Sequence, residues 1–459
     1  MTARDVSARL VQIERAILSR TPEHDIVPTL DRVSAAMALL GDPQCTFRVI
    51  QVTGTNGKTS TTRMIEALCR EHGLRTGRFT SPHLHTMRER IAVDGEPVAP
   101  EILVERWDEV APILDLVDAR SAEAGEPRMT FFEALVVLGY AVFADAPVDV
   151  AVVEVGMGGT WDATSVAHAD VAVVSPIDFD HMHFLGSTVE QIGTEKAGII
   201  SQGSVAVVAA QADVVAEILT ERCAEVGAPM YAVGEDLGLL TREVALGGQL
   251  VTIRGIAGEY DEVFLPLHGQ HQADNAVLAL GAVEAFFGAE RRLDPEVVRT
   301  GFAAVTSPGR LEVVRRSPTI LVDAAHNPHG MAALREALTE SFSFTRLVGV
   351  VAIFADKDAH AMLEVLEPAL EHVVVTTNSS PRSMAPERLA QIARDIFGSD
   401  RVSVAARLPD AIDLAAGLAE ADRASTRSRI GETSSQRSTR ISAATGSPST
   451  AIRSPSSKR

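Results

Sequence analysis

Aromatic side chains are scarce in this chain of 459 residues: 2 Trp, 3 Tyr and 15 Phe amount to 4%. That argues against a nucleic-acid surface built on stacked bases. Basic charge is also in deficit, with 42 Lys and Arg against 61 Asp and Glu and a formal net charge of −19. Such a field repels polyanions, so any anionic ligand has to be held by a local site. The three cysteines, Cys45, Cys69 and Cys223, show no metal-ligand spacing and suit a reducing cytoplasm. Long apolar runs are missing too. The stretches at 148–155 and 206–212 fall far short of the roughly 20 residues a membrane helix needs. The N-terminus, with Arg4, Asp5, Arg9, Glu14 and Arg15, has no apolar secretory core. A disulfide scaffold, a membrane protein and a secreted protein are excluded, and the expectation is a cytoplasmic protein without nucleic-acid or membrane partners.

The C-terminal end is a different polymer. Residues 423–459 hold 16 Ser or Thr, 7 Arg, one Lys and one Glu, and no aromatic, Leu or Val. This tail is +7, which leaves −26 on residues 1–422. It lacks the apolar surface that would offset ordering entropy, which predicts disorder. A basic tail of this kind would bind RNA or phospholipid. Its abrupt onset favours a non-native end, such as a shifted reading frame.

Elsewhere apolar runs alternate with helical periodicity. Helical spacing falls at 5–18, 59–71, 131–143 and 272–287. Runs at 47–52, 148–155, 171–177, 205–209 and 230–233 read as buried strands without inside–outside alternation, the mark of a parallel sheet. Residues 250–254 and 263–267 alternate and read as an antiparallel ribbon. Strands at 319–323, 347–351 and 372–376, separated by helices at 330–341 and 360–371, predict a second parallel sheet. The fold class is therefore α/β, with a larger domain over 1–306, a smaller Rossmann-like α/β domain over 307–422, and a linker near 306–308.

Chemistry concentrates at strand ends. Val52-Thr53-Gly54-Thr55-Asn56-Gly57-Lys58-Thr59-Ser60 lies between a strand and a helix. Successive backbone N–H groups there can wrap a phosphate, Lys58 can reach β- and γ-phosphates, and the Thr59 hydroxyl can face Mg²⁺. Val52 stands where the common phosphate-loop pattern has Gly, so the loop is a shorter variant. Glu154 ends a strand, followed by Gly156-Met157-Gly158-Gly159, and suits a Mg²⁺-binding carboxylate. The next strand ends in Asp178-Phe179-Asp180-His181-Met182-His183. Lys196, in Gly193-Thr194-Glu195-Lys196-Ala197-Gly198, reads on its own as a surface lysine.

Taken with Thr80-Ser81-Pro82-His83-Leu84, Asp162-Ala163-Thr164, His271-Gln272, Asn275-Ala276, Pro308-Gly309-Arg310-Leu311-Glu312 and Asp323-Ala324-Ala325-His326-Asn327-Pro328, these motifs resemble the dihydrofolate synthase/folylpolyglutamate synthase branch of the Mur ligase superfamily. The resemblance covers about residues 5–422. It implies a Mur-ligase-type central domain and an ATP-dependent ligase that joins L-glutamate to dihydropteroate or folates through an acyl phosphate. It also implies ATP as co-substrate, one or two Mg²⁺, a monovalent cation, and a monomer. Gly54, Thr55, Asn56, Gly57, Lys58, Thr59, Ser60, Asn275, Arg310, Asp323 and His326 would bind nucleotide. Ser81, Glu154 and His181 would hold metal, and Lys58, His181 and Lys196 would be catalytic. Lys196 matches a family lysine that can be carbamylated. Pro82, His83, Thr130, Phe131, Phe132 and Asp162 would meet the pterin acceptor, and Arg382, in Ser380-Pro381-Arg382, the glutamate. Lys357 and Asp358 also match the family pattern, where an exposed ion pair is the simpler account. Thr160, Ser165 and His183 depart from it, and the Ser/Thr/Arg tail replaces a final helix–strand–helix unit. The alternatives are an enzyme restricted to folates, or a nucleotide-binding relative with impaired catalysis.

Overall fold

The computed structural model describes residues 2–21 and 27–420. The basic tail at 423–459 lies outside the described residues. The chain forms two compact units: one runs up to Thr345 and also takes in Ile353–Ala369, and the other combines Arg346–Ala352 with the chain from Leu370 onward.

The first unit is built on strands β1 (Arg48–Thr53), β2 (Thr76–Phe79), β3 (Ile91–Val93), β4 (Glu96–Pro97), β5 (Val150–Glu154), β6 (Val171–Val174), β7 (Val205–Val208) and β8 (Met230–Ala232). They form one sheet in the order β4-β3-β2-β5-β1-β6-β7-β8. The strands from β2 to β8 in that order run parallel, and β3 and β4 extend one edge antiparallel. The parallel strands were legible because both of their faces are buried. Ile50, Val52, Val150 and Val152 enter one core layer, while Val49, Ala151 and Val153 enter the opposite one. Each Val or Ile side chain among them contributes about 1.5–3 kcal/mol on full burial.

The helices are α1 (Ala3–Leu18), α2 (Asp31–Leu39), α3 (Lys58–Glu71), α4 (Pro100–Glu123), α5 (Phe131–Asp145), α6 (Met182–Leu185), α7 (Val189–Ala197), α8 (Asp213–Val226), α9 (Gln270–Phe287) and α10 (Pro295–Ala303). Helices α3, α9 and α10 cover one face of the sheet, and α1, α2, α4 and α5 the other. Helices α7 and α8 pack on the β6–β7 end. Two buried ion pairs tie elements together: Arg78 of β2 to Glu66 of α3 at 2.7 Å, and Arg32 of α2 to Glu133 of α5 at 2.9 Å.

The expected ribbon is present and has a third strand: β9 (Gly238–Ala245), β10 (Gly248–Arg254) and β11 (Glu259–Leu265), ordered β11-β10-β9. The Tyr260 hydroxyl ties it to α9 by donating to the buried Glu284 carboxylate at 2.8 Å.

Two expectations need correcting. The strand near 319–323 does not join the second parallel sheet. Strand β13 (Thr319–Val322) pairs antiparallel with β12 (Glu312–Arg316), because the Ser317-Pro318 turn closes a hairpin. The helix expected at 360–371 is shorter. After α11 (Pro328–Ser341), α12 covers Ala359–Leu366 and tightens into a 3₁₀ turn at Glu367–Ala369. Pro368 cannot donate the backbone hydrogen bond that would continue the helix.

The second unit holds a parallel sheet of β14 (Val348–Val351), β15 (His372–Val375) and β16 (Val402–Val404), ordered β14-β15-β16. Helix α13 (Pro386–Phe397) and a helix over 408–420 accompany it. Leu389, Ala390, Ala393, Phe397 and Ala411 are buried there, as are Val373 to Val375 of the sheet.

Candidate functional site

Four adjacent strands deliver the site. The order β2-β5-β1-β6 brings their C-terminal ends side by side, and β1 lies where connections leave in opposite directions. That crevice is where ligands bind in open α/β sheets. Register does the rest. Val52 pairs with Glu154 on one side and Val173 on the other, and Phe79 pairs with Val153.

The loop from Gly54 to Gly57 joins β1 to α3, and Lys58 opens the helix. Gly54 has φ +139°, and a Cβ there would meet Ser175 Oγ at 1.9 Å and its carbonyl oxygen at 2.8 Å. Gly57 has φ +87°, and a Cβ there would meet Asn275 Oδ1 at 2.4 Å. Both positions therefore require glycine. Neighbouring side chains brace the loop. Ser175 Oγ donates to Thr53 O at 3.0 Å and to Asn56 O at 2.7 Å. Thr55 Oγ1 donates to Asp178 O at 2.8 Å. Ser60 Oγ lies 3.1 Å from Ser307 Oγ.

Two lysines share one acceptor. Lys58 Nζ donates to Gly54 O at 3.0 Å, and Lys196 Nζ donates to the same oxygen at 2.7 Å. Lys196 is buried, not the surface lysine its local sequence suggests. Burial and the Lys58 charge push its ammonium down to about 7. A substantial share is then neutral amine near neutral pH, the form that reacts with CO₂. Burial also lowers Lys58, against the attraction of Glu154 and Asp180.

Glu154 is buried at the end of β5. Thr59 Oγ1 donates to Oε1 at 2.8 Å and the Ser81 backbone N–H to Oε2 at 3.0 Å. Burial raises this carboxyl, and Lys58 with the two hydrogen bonds opposes the rise. Among the described residues no three His, Cys, Asp or Glu side chains converge as metal ligands. A carboxylate and a hydroxyl beside a phosphate loop do fit Mg²⁺, which takes hard oxygens and completes its octahedron with water and phosphate.

Asp180 is a hub. Its carboxylate receives Lys357 Nζ, His326 Nε2 at 3.2 Å and Asn327 Nδ2 at 3.2 Å, and its Oδ1 also accepts the His181 backbone N–H at 2.8 Å. Burial alone would raise the carboxyl, but these donors hold it far below the usual carboxylate range. Asn327 Nδ2 also reaches Asn56 Oδ1 at 3.1 Å, and Asn56 Nδ2 lies 2.8 Å from His329 Nδ1. Lys357 is thus part of the site rather than an exposed pair. Sequence reasoning missed the roles of Ser175, Asn327, His329 and Ser307, because none sits in a local pattern that reveals its partner.

The remaining expected residues divide. Asn275 abuts Gly57, with its amide donating to Gln272 Oε1 at 3.2 Å. Arg310 lies in the turn where its N–H donates to Ser307 O, and its charge reaches Lys58 and Glu154. Both Asp323 oxygens accept backbone N–H groups, from Leu311 and Ala325, each at 2.8 Å. Asp162 is likewise spent on the Met157 and Thr164 amides at 2.9 Å. Thr130 caps α5, accepting from Glu133 N at 3.2 Å. Phe131 is buried with Arg90 over its ring at 4.9 Å. Phe132 lies edge-on to Phe79, with ring centroids 5.8 Å apart, and packs against Gly156. His83 accepts from Arg90 Nε at 2.9 Å, while Pro82 is exposed. Arg382 belongs to the second unit. The departures are built in. Thr160 Oγ1 donates to Glu195 O at 3.2 Å, Ser165 Oγ donates to Gly159 O at 2.6 Å, and His183 stacks edge-on to Phe184 with centroids 4.9 Å apart.

Comparison with known proteins gives the same picture. Residues 52–283 match the Mur ligase middle domain, and residues 309–425 match the glutamate ligase domain of Mur ligases. The chain is 48% identical over 427 residues to a dihydrofolate synthase/folylpolyglutamate synthase of Mycobacterium tuberculosis, covering 91% of this chain and 88% of the relative. It is 31% identical over 381 residues to the Bacillus subtilis protein of that name, covering 82% of this chain and 86% of the relative. The crystal structure of Mycobacterium tuberculosis folylpolyglutamate synthase complexed with ADP and AMPPCP superposes with a TM-score of 0.87 at 47% identity, over 91% of this chain and 93% of that one. The phosphate loop, the buried strand-end glutamate and these matches together place the chain in the dihydrofolate synthase/folylpolyglutamate synthase family of the Mur ligases.

Proposed function

We propose that the chain is a bifunctional ATP-dependent ligase that joins L-glutamate to dihydropteroate and to folates. A carboxylate oxygen of the acceptor attacks the γ-phosphorus of ATP. A new O–P bond forms, the bond to the β–γ bridging oxygen breaks, and ADP leaves. The amine of glutamate then attacks the acyl carbon. The C–N bond forms, inorganic phosphate leaves with its oxygen, and the amine's proton passes to water.

The loop Gly54–Ser60 cradles the phosphates with its N–H groups and the positive end of α3. Lys58 gives up the Gly54 and Thr55 carbonyls for the β- and γ-phosphates and offsets charge as the phosphoryl group transfers. Glu154, Thr59 and Ser81 would hold Mg²⁺, with His181 at a second ion. Mg²⁺ would neutralise phosphate charge there. Lys196, carbamylated, would present an anionic oxygen to the same region. Asn275, Arg310, Asp323 and His326 line the nucleotide, and Pro82, His83 and Phe132 the pterin. Arg382 meets glutamate. Residues 1–306 serve as the nucleotide-binding domain and 307–422 as the glutamate-ligase domain. The observation that carries this reading is Thr59 bonded to the buried Glu154 at the foot of the phosphate loop.

The test is ADP release and product mass with ATP, Mg²⁺, glutamate and either dihydropteroate or reduced folate. Both acceptors should be extended, and Lys58→Ala should stop both reactions with the fold retained. Extension of folate alone restricts the reading to a folylpolyglutamate synthase. No ADP release with either acceptor overturns it.

A further inference from the structure

Arg63 lies on α3 one helical turn after Thr59, whose hydroxyl holds Glu154. Helical side chains lean toward the N-terminus, so Arg63 reaches back over the turn that carries Thr59, beside the ends of β2 and β5. Three acids surround it electrostatically: Glu66, Glu154 and Glu89. Each is committed elsewhere. Glu66 holds the buried Arg78 at 2.7 Å and Thr76 Oγ1 at 3.1 Å. Glu154 holds Thr59 and the Ser81 amide. Glu89 accepts the backbone N–H groups of Leu84, His85 and Thr86 at 2.8–3.0 Å. Among the described residues no hydrogen bond or ion pair engages the Arg63 guanidinium. Its nitrogens are nonetheless not sealed away, unlike Arg78 Nε, which is buried without a partner. Burial and the adjoining Arg78 push its proton affinity down to about 10.

A partly buried guanidinium whose acidic neighbours are all occupied presents a free planar fork, the geometry that binds a carboxylate at two points. Glu154, which accepts the Ser81 amide, and Glu89, which accepts the Leu84 amide, both act on the Arg63 charge, which puts it near the loop from Ser81 to Leu84 and the strand end that carries Glu154. We propose that Arg63 binds the carboxylate of the pteroyl acceptor, the group that becomes the acyl phosphate. This assignment rests on the ligase reading above.

The experiment uses the full chain with Mg²⁺ and AMPPCP, titrated with dihydropteroate and with its methyl ester, which lacks the charge. Wild type should bind the acid at least about tenfold tighter than the ester. Arg63→Gln should lose about tenfold on the acid and nothing on the ester, and Arg63→Lys should fall between. In turnover, Arg63→Gln should raise the KM for dihydropteroate and leave the KM values for ATP and glutamate within about twofold. Equal loss on acid and ester marks a structural role and overturns the assignment. A rise confined to the KM for glutamate or ATP also overturns it. Active wild type with an indistinguishable Arg63→Gln variant overturns this assignment alone, whereas wild type that binds neither compound and releases no ADP overturns the ligase reading with it.

Discussion

The substitution Gly54→Ala tests how tightly the phosphate loop is built. The new Cβ would lie 1.9 Å from Ser175 Oγ and 2.8 Å from Ser175 O, where ordinary contacts begin near 3.4 Å. The hydroxyl can rotate away only by withdrawing its one proton from Thr53 O and Asn56 O, which share a bond worth about 0.5–1.5 kcal/mol. The carbonyl cannot rotate away, so the backbone of β6 or of the loop must move by several tenths of an ångström. Overpacking of this kind costs about 1–3 kcal/mol, and placing Ala at a glycine-only φ of +139° adds about 1–3 kcal/mol. The expected loss of unfolding free energy is about 2–6 kcal/mol, measured by urea denaturation. Displacing Gly54 O also disturbs the anchor of Lys58 and Lys196, so ADP affinity by titration calorimetry should fall by about tenfold, equivalent to about 1.4 kcal/mol. The double variant Gly54→Ala with Ser175→Ala should recover part of the stability, because it removes the nearer clash and leaves the carbonyl one. Unchanged stability and ADP affinity in the single variant would refute the reasoning.

Glu66→Ala leaves the buried Arg78 without its carboxylate and should cost about 3–5 kcal/mol of unfolding free energy, whereas replacing both partners by Met should cost much less. A loss below about 1 kcal/mol in the single variant contradicts the pairing. Asp180 has a depressed carboxyl, so its contribution to stability is complete above the unfolded value of 3.8 and declines as pH falls toward the folded value. The stability difference between wild type and Asp180→Asn should hold steady from about pH 5 to 8 and shrink below about pH 4. A difference that does not change with acidification disproves the coupling.

The sequence showed those parts of the fold in which one segment carries its own signal. The runs in β1, β5, β6 and β7 announce strands buried on both faces, and the glycines and Lys58 announce a helix start that binds anions. It concealed what depends on pairing. Thr319–Val322 is as apolar as a core strand, but a local hairpin claims it before a sheet can. Strands β2 and β16 are 4 and 3 residues long, too short to show a period. At the site, Glu154 could be found because it ends an apolar run. Lys196 and Lys357 look like solvated lysines, and only the third dimension puts one on Gly54 O and the other on Asp180. Thr130 has a structural role as well. Its neighbours Phe131 and Phe132 look like a ligand slot, while the Thr130–Glu133 spacing is that of a helix cap.

The chain passes between its two compact units more than once: β14 belongs to the second, and α12, encoded after it, returns to the first. No single cut can therefore release both units whole. A gene fragment that stops at Thr345 lacks α12, whose Val365 carbonyl accepts a bond from Arg335 of α11 at 3.3 Å, and with it lacks Lys357 of the Asp180 hub. The fragment beginning at Arg346 carries that helix as an orphan. Split halves of this protein should regain ADP binding only when they are co-expressed, so that the second half can supply its missing turn of chain to the first.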